Sequence, residues 1–241
     1  MAGLKVKNSD LTVIVLAGGF GTRLQALDST RPKPMIEVAG KPFLYWFLSS
    51  YRKQGFRKFI LSTGYLAEQI EQAPWQEQFS GCTFEFFRED TPLGTGGAVA
   101  AIFRAKTDLD QAWVVNGDTF LTAALPLWDS AQEVDSLFTF LDRKEVFDAT
   151  PNIHIDGKYV VGEGPEGAYF DAGAVFLRRA GLPGGQGLSL VAPFSLHRLL
   201  AEAMGRHRVG WAMLGGTCYD IGTPERYHRF ESFLSLSNAG S

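Results

Sequence analysis

The sequence predicts an α/β fold, a mostly parallel sheet carrying helices on both faces. Two observations lead there. Apolar, β-branched runs alternate with helix-length amphipathic stretches through the first half of the chain, a βαβα rhythm. The runs are also continuous rather than alternating, as "TVIVLAG" is, which suits strands covered on both sides. Right-handed crossovers would then bring the strand ends and their loops to one common edge.

"TVIVLAG" is the first buried strand. In "KPFLYWFLSSYRKQG", Pro42 is placed to start a helix and Gly55 to stop it, and Phe43, Trp46, Phe47 and Tyr51 recur at helical spacing toward a core. "RKFILST" reads as the next strand, "LAEQIEQ" as a short helix and "CTFEFFRE" as a third strand. "GGAVAAIFRAK" is helical, and "AWVVNGD" is a fourth buried strand.

After about residue 140 the pattern changes. "NIHIDGKYVVG" predicts a hairpin turning at Asp156-Gly157. "YFDAGAVFLRR" gives a strand, and "LVAPFSLHRLLAEAMGRH" a helix after the glycine-rich loop "AGLPGGQG". "RVGWAML" and "TCYDIG" are late strands, and Thr223 caps the last helix, "TPERYHRFESFLSL".

At 241 residues the chain has ample length for a real core and is expected to form a single domain over 1–241. A net charge of −3 argues against broad binding to nucleic acid or anionic membrane. Leu11–Ala17 is too short to span a bilayer, and it runs straight into glycines and an arginine, unlike a leader peptide. Cys82 and Cys218 stand alone, and the four histidines show no paired spacing that would suggest zinc. A cytoplasmic protein is expected. A homodimer through the aromatic-rich helices is allowed but not required, since a core role accounts for those side chains.

The chemistry starts in "VLAGGFGTRL". A glycine-rich loop after a strand exposes N–H groups that favour anions. A Walker A loop would need Gly-Lys-Ser/Thr where Gly21 precedes Thr22-Arg23, and a dinucleotide fingerprint would need a glycine where Leu24 stands. Ten residues after Arg23, "STRPKPM" sets Lys33 between two prolines, which predicts a stiff extended segment presenting the amine. Arg23 can fork two phosphate oxygens while Lys33 supplies a point charge, a pairing suited to a triphosphate. Asp118 in "NGDTF" and Asp220 in "CYDIGTPE" each close a strand, where α/β sheets place their sites. Together they could hold one magnesium ion with a substrate's phosphate oxygens.

These stretches resemble the sugar-nucleotidyltransferase family, marked by an "LAGGxGTRL" loop, a "PKPM" segment, a "GKP" turn, a "PLGTGGA" loop and a "GD" strand end. Here they read "LAGGFGTRL", "RPKPM", "GKPF", "PLGTGGA", "NGD" and "DIGTPE", in family order between residues 15 and 225. The resemblance implies a Rossmann-like three-layer αβα sandwich, the nucleotide-diphospho-sugar transferase fold. It also implies transfer of a nucleotidyl group from a nucleoside triphosphate to a sugar 1-phosphate, with release of pyrophosphate and dependence on Mg²⁺. Carried over position by position, Leu16, Ala17, Gly18, Gly19, Gly21 and Thr22 would line base and phosphates. Arg23 and Lys33 would act on the reacting phosphates, and Asp118 and Asp220 would bind the metal. Pro92, Gly94 and Thr95 would reach the nucleoside, and Gly96 and Asn116 the sugar phosphate. The nucleotide part would cover about residues 10–140 and the sugar part about 141–241.

Two positions depart from hexose-specific members. Glu163-Gly164 stands where Glu-Lys is usual over the sugar phosphate, so that cation is missing or supplied elsewhere; Asp171-Ala172-Gly173 replaces Asn-Ala-Gly. Glu163 and Asp171 would be readers of vicinal hydroxyls. Glu89 falls where the family places a base-reading side chain. A carboxylate only accepts, which matches the paired N–H donors of guanine and favours GTP. Within the family, the wording is most similar to bacterial D-glycero-D-manno-heptose 1-phosphate guanylyltransferases. N-acetylmuramate 1-phosphate uridylyltransferases and hexose 1-phosphate enzymes stay open alternatives. A metal-dependent glycosyltransferase would not need Arg23 and Lys33, and a non-catalytic nucleotide-sugar sensor would not need the aspartates.

Overall fold

A computed structural model describes residues 6–19, 30–128, 133–141, 152–164, 167, 169–183 and 193–238. Strand β1 (Thr12–Leu16) lies deep in a nine-stranded sheet. Two short strands, β2 (Glu37–Val38) and β3 (Lys41–Pro42), form a separate ribbon that leads into helix α1 (Phe43–Lys53). Gly55 ends this helix with φ +97, a left-handed conformation that glycine adopts without strain. Strand β4 (Lys58–Thr63), helices α2 (Ala67–Glu71) and α3 (Trp75–Gln78), strand β5 (Thr83–Arg88), helix α4 (Gly94–Ala105) and strand β6 (Gln111–Asn116) follow.

The second half adds β7 (Thr119–Leu121), β8 (Ser136–Leu141), and the hairpin β9 (Ile153–Asp156) and β10 (Tyr159–Glu163), which turns at Gly157 as expected. Then come β11 (Phe170–Arg178), α5 (Leu196–Gly205), β12 (Val209–Leu214), β13 (Cys218–Asp220) and α6 (Pro224–Asn238). Thr223 caps α6, its Oγ1 accepting from Arg226 N at 3.4 Å.

The sheet runs β5-β4-β1-β6-β11-β8-β12-β10-β9. All strands except β11 and β10 point the same way, since only their pairings with neighbours are antiparallel. Alternate residues feed two cores. Val13 and Val15 of β1 face α1 and α6, packing with Phe43, Phe47 and Phe230, while Ile14 faces α4 and α5 with Val99, Ile102 and Leu200. That two-sided burial is why the strand reads as an unbroken apolar run, and it makes the three-layer sandwich.

From β1 the chain moves outward to β4 and β5 on one side and returns to β6 on the other. The topology therefore switches direction between β1 and β6, where Leu16 pairs with Asn116. Open α/β sheets bind ligands outside the strand ends at such a point. A second ribbon, β7 with β13, sits just beyond β6 and sets Asp220 opposite Thr119. The core sheet and its hairpin match the sequence expectation. Strand β8, buried at every position, and the β2–β3 ribbon were not anticipated.

Candidate active site

The switch point opens into a cleft of about 680 Å³. Leu16, Ala17, Gly18 and Gly19 enter it from the end of β1, and Glu89, Pro92, Gly94 and Thr95 from the segment joining β5 to α4. Asn116 and Asp118 come from the end of β6, Lys33 from the far side, and Asp220 with Arg226 from the β13–α6 junction. Gly21, Thr22 and Arg23 lie outside the described residues. Gly96 sits one position beyond Thr95 and is buried against the Phe194–Ser195 backbone rather than on the cleft wall.

The prolines around Lys33 act differently from expectation. Pro32 is extended, but Lys33–Met35 is a turn of 3₁₀ helix, closed by Met35 N on Pro32 O at 2.8 Å and Ile36 N on Lys33 O at 3.2 Å. Pro34 fits inside it because a position in the first turn needs no N–H. The turn holds Lys33 mostly buried, its side chain 14% exposed, and directs Nζ onto Asp118 Oδ2 at 2.6 Å. Lys33 therefore rests on a carboxylate.

Asp220 is held in the same manner. Its Oδ1 accepts from Gly222 N at 2.6 Å and its Oδ2 from Arg226 Nη1 at 2.9 Å. Asp118 and Asp220 are brought to neighbouring positions on the β7–β13 ribbon, each matched by one cation. Arg226 escaped the sequence reading, its only signal being its place three residues after the cap Thr223. Near these carboxylates, burial first and then the charges of Asp220, Asp118 and Asp171 push the Cys218 thiol up to about 12, leaving it protonated.

Two carboxylates fit a magnesium ion that takes the rest of its shell from phosphate oxygens and water. No group of three or more His, Cys, Asp or Glu that could hold a metal occurs among the described residues. Substrate oxygens and water would complete the shell of an ion held by Asp118 and Asp220.

Glu89 is pinned at both oxygens. Oε1 accepts from Ser62 Oγ at 2.9 Å and Oε2 from Leu93 N at 3.0 Å. Gly18 passes so close that a Cβ there would stand 2.8 Å from Glu89 Oε1. At Gly19 an added Cβ would meet nothing within 4 Å among the described residues.

Beyond Asn116 lies a second polar group. Gly173, with φ +74, packs on Asn116 so tightly that a Cβ would reach its Nδ2 at 2.9 Å. Two residues earlier, Asp171 Oδ1 accepts from Gly173 N at 2.7 Å. Glu163 Oε1 accepts from Asn152 Nδ2 at 3.0 Å. His197, which the sequence reading passed over, lies between the two carboxylates.

Burial pushes the Asp171 carboxyl up, with Glu163 adding to it and the Gly173 N–H and His197 opposing. A carboxyl raised by folding contributes stability that is whole below its unfolded value, about 4. That contribution is lost as pH rises through the folded value. Folding therefore gains less from Asp171 at neutral pH than at low pH. Asp171→Asn keeps an oxygen for Gly173 N and is expected to raise the melting temperature at pH 7, the gain vanishing near pH 3. Thermal melts across that range check it; an equal gain at both ends would contradict it.

A family model described as nucleotidyl transferase matches residues 12–144. The D-glycero-alpha-D-manno-heptose 1-phosphate guanylyltransferase of Campylobacter jejuni is 28% identical over 229 residues, covering 91% of this chain and 98% of that protein. The protein of the same description from Aneurinibacillus thermoaerophilus is 40% identical over 115 residues, 48% of this chain and 49% of that one. The crystal structure of HddC from Yersinia pseudotuberculosis complexed with GMP-PN superposes with a TM-score of 0.74 at 25% identity, covering 93% and 99%.

Proposed function

From the premise that the chain belongs to the nucleotidyl transferase family, we propose that it moves a guanylyl group from GTP to a heptose 1-phosphate. The products are the nucleotide-diphosphate sugar and pyrophosphate. A relative that shares most of its length and another that is 40% identical over 115 residues carry that description. The observation that carries the reading is a single cleft holding bare glycine backbone and two aspartate–cation pairs at the switch point.

An oxygen of the sugar phosphate attacks the α-phosphorus in line, and pyrophosphate leaves on the opposite side. The nucleophile is already anionic at neutral pH, so no general base is needed, and the work is positioning and neutralisation. Asp118 and Asp220 would hold magnesium, which when bound supplies charge stabilisation to the phosphates. Lys33 and Arg226, released from the aspartates, would turn to phosphate oxygens. Arg23 adds a further cation on the donor. The end of β1 and the β5–α4 segment take the donor; β10, β11 and α5 take the acceptor.

Pyrophosphate release, measured over a panel of nucleoside triphosphates and sugar 1-phosphates with and without magnesium, tests the reading. Release is expected to be fastest with GTP and heptose 1-phosphate and to need the ion. No release with any pair would favour a sensor, and release only with UTP or dTTP would move the donor assignment. Glu89 supplies the finer test. Ser62 and Leu93 fix its carboxylate beside Gly18, leaving lone pairs for the two donors of guanine. Glu89→Gln is expected to lower the GTP-to-UTP ratio of kcat/KM by about tenfold or more. An unchanged ratio removes Glu89 from base selection.

A further inference from the structure

We propose that His197 is a positioning residue of the acceptor subsite, bracing Glu163 and Asp171 and leaving between itself and Asp171 a seat for one sugar hydroxyl. The proposal rests on the sugar 1-phosphate reading above.

Three elements meet at this point. Glu163 ends β10, Asp171 lies near the start of β11, and His197 belongs to the first turn of α5. The imidazole lies against the Phe138 ring, centroids 5.0 Å apart, so its plane is set by packing. Its Nδ1 is 3.3 Å from Glu163 Oε2, and its Nε2 is 3.8 Å from Asp171 Oδ2. The other oxygen of each carboxylate is tied to Asn152 or to Gly173 N. Each carboxylate is thus fixed on one side by a protein donor and faced on the other by the same ring.

The second contact is the informative one. At 3.8 Å, Nε2 and Asp171 are too far apart to hydrogen-bond, and Nε2 is a buried polar atom without a partner. A buried nitrogen in that state costs stability unless something completes it. Nε2 and the Asp171 carboxylate face each other across the gap. A hydroxyl is donor and acceptor at once: with a proton on Nε2, it accepts from the ring and donates to Asp171. An adjacent hydroxyl would fall toward Glu163, whose side chain stays 42% exposed.

The place is right for an acceptor. Gly173 packs the Asp171 turn onto Asn116, two residues from Asp118. Helix α5, which carries His197, is joined at its start to the donor side by Leu196 N on Thr95 Oγ1 at 2.9 Å. The cluster therefore adjoins the cleft on its Asn116 side.

His197→Leu, which keeps the packing on Phe138, tests this beside His197→Gln, which restores a donor of similar reach. The Leu variant is expected to raise KM for D-glycero-D-manno-heptose 1-phosphate by about tenfold, the loss of one good hydrogen bond. KM for GTP and kcat at saturation should stay within about threefold of the parent, and Gln should recover part of the acceptor KM. Equal changes in both KM values, or no change in the acceptor's, would overturn the assignment.

Calorimetric titration with the heptose 1-phosphate and with mannose 1-phosphate reads the same contact without turnover. Weaker binding to the Leu variant is expected; equal binding, or none to the parent protein, overturns the proposal. If the parent binds these sugars but releases no pyrophosphate, the catalytic reading fails while His197 is still decided by the titration.

Discussion

Asp118→Asn is expected to lower kcat/KM for pyrophosphate release by about 10³-fold or more, through two losses at one position. The amide cannot supply the negative charge that, with Asp220, would hold the ion. It also strips Lys33 of its counter-charge: Nζ stands 2.6 Å from the carboxylate, and the lysine side chain is only 14% exposed. A mostly buried ammonium without a partner is unfavourable, so Lys33 is expected to leave its place. Because Asp118 is 43% exposed, solvent screens the pair, and the cost to folding should be no more than about 1 kcal/mol.

The signature is accordingly a collapse in rate with a nearly unchanged melting temperature. Asp220→Asn should behave alike, and the double variant should be little worse than either single one, since both act on the same ion. Asp118→Asn retaining activity within tenfold of the parent would remove the aspartate from the reaction.

How much of this was legible in the sequence depended on where the information lies. Strand β1 was plain because Val13, Ile14 and Val15 are buried on both faces, a demand that only a continuous apolar run satisfies. Helix α1 and the β9–β10 hairpin carried their own punctuation at Gly55 and Gly157. Strand β8 did not: "SLFTFL" mixes Ser136 and Thr139, both buried, into its run, and its role follows from pairing with β11 and β12 far along the chain. The β2–β3 ribbon and strand β7 have two or three residues per strand, too few for a period to show, whereas β13 was read within "TCYDIG".

The site divides the same way. Gly18, Lys33, Asp118 and Asp220 sit in short motifs whose composition betrays their chemistry. Arg226 and His197 sit in helices where arginine and histidine are unremarkable on sequence grounds. They acquire meaning only when folding sets them against Asp220 or between Glu163 and Asp171. Lys33 and Asp118 were each identified, but their pairing across 85 positions was not.

Gly96→Ala, just behind the donor wall, is expected to be strongly destabilising, and Gly19→Ala innocuous to folding. The difference is local geometry. A Cβ at Gly96 would overlap the Ser195 carbonyl oxygen and stand 2.7 Å from its carbon and 2.8 Å from the Phe194 ring. Neither side can yield cheaply, because Gly96 N donates to Phe194 O at 2.9 Å and Ser195 caps α5 through Arg198 N at 3.1 Å. Relief requires α4 and the start of α5 to part, a loss of about 2–3 kcal/mol. For a chain of this size that is roughly a 5–10 °C fall in melting temperature. At Gly19 the backbone is not left-handed and, among the described residues, no atom lies within 4 Å of the new methyl, so stability should move by less than about 0.5 kcal/mol. Yet that methyl would occupy space on the cleft wall where phosphate is to approach bare N–H groups. KM for GTP should therefore rise by about tenfold or more in Gly19→Ala with its fold intact. If Gly19→Ala melts early and binds GTP normally, packing rather than nucleotide demands that glycine.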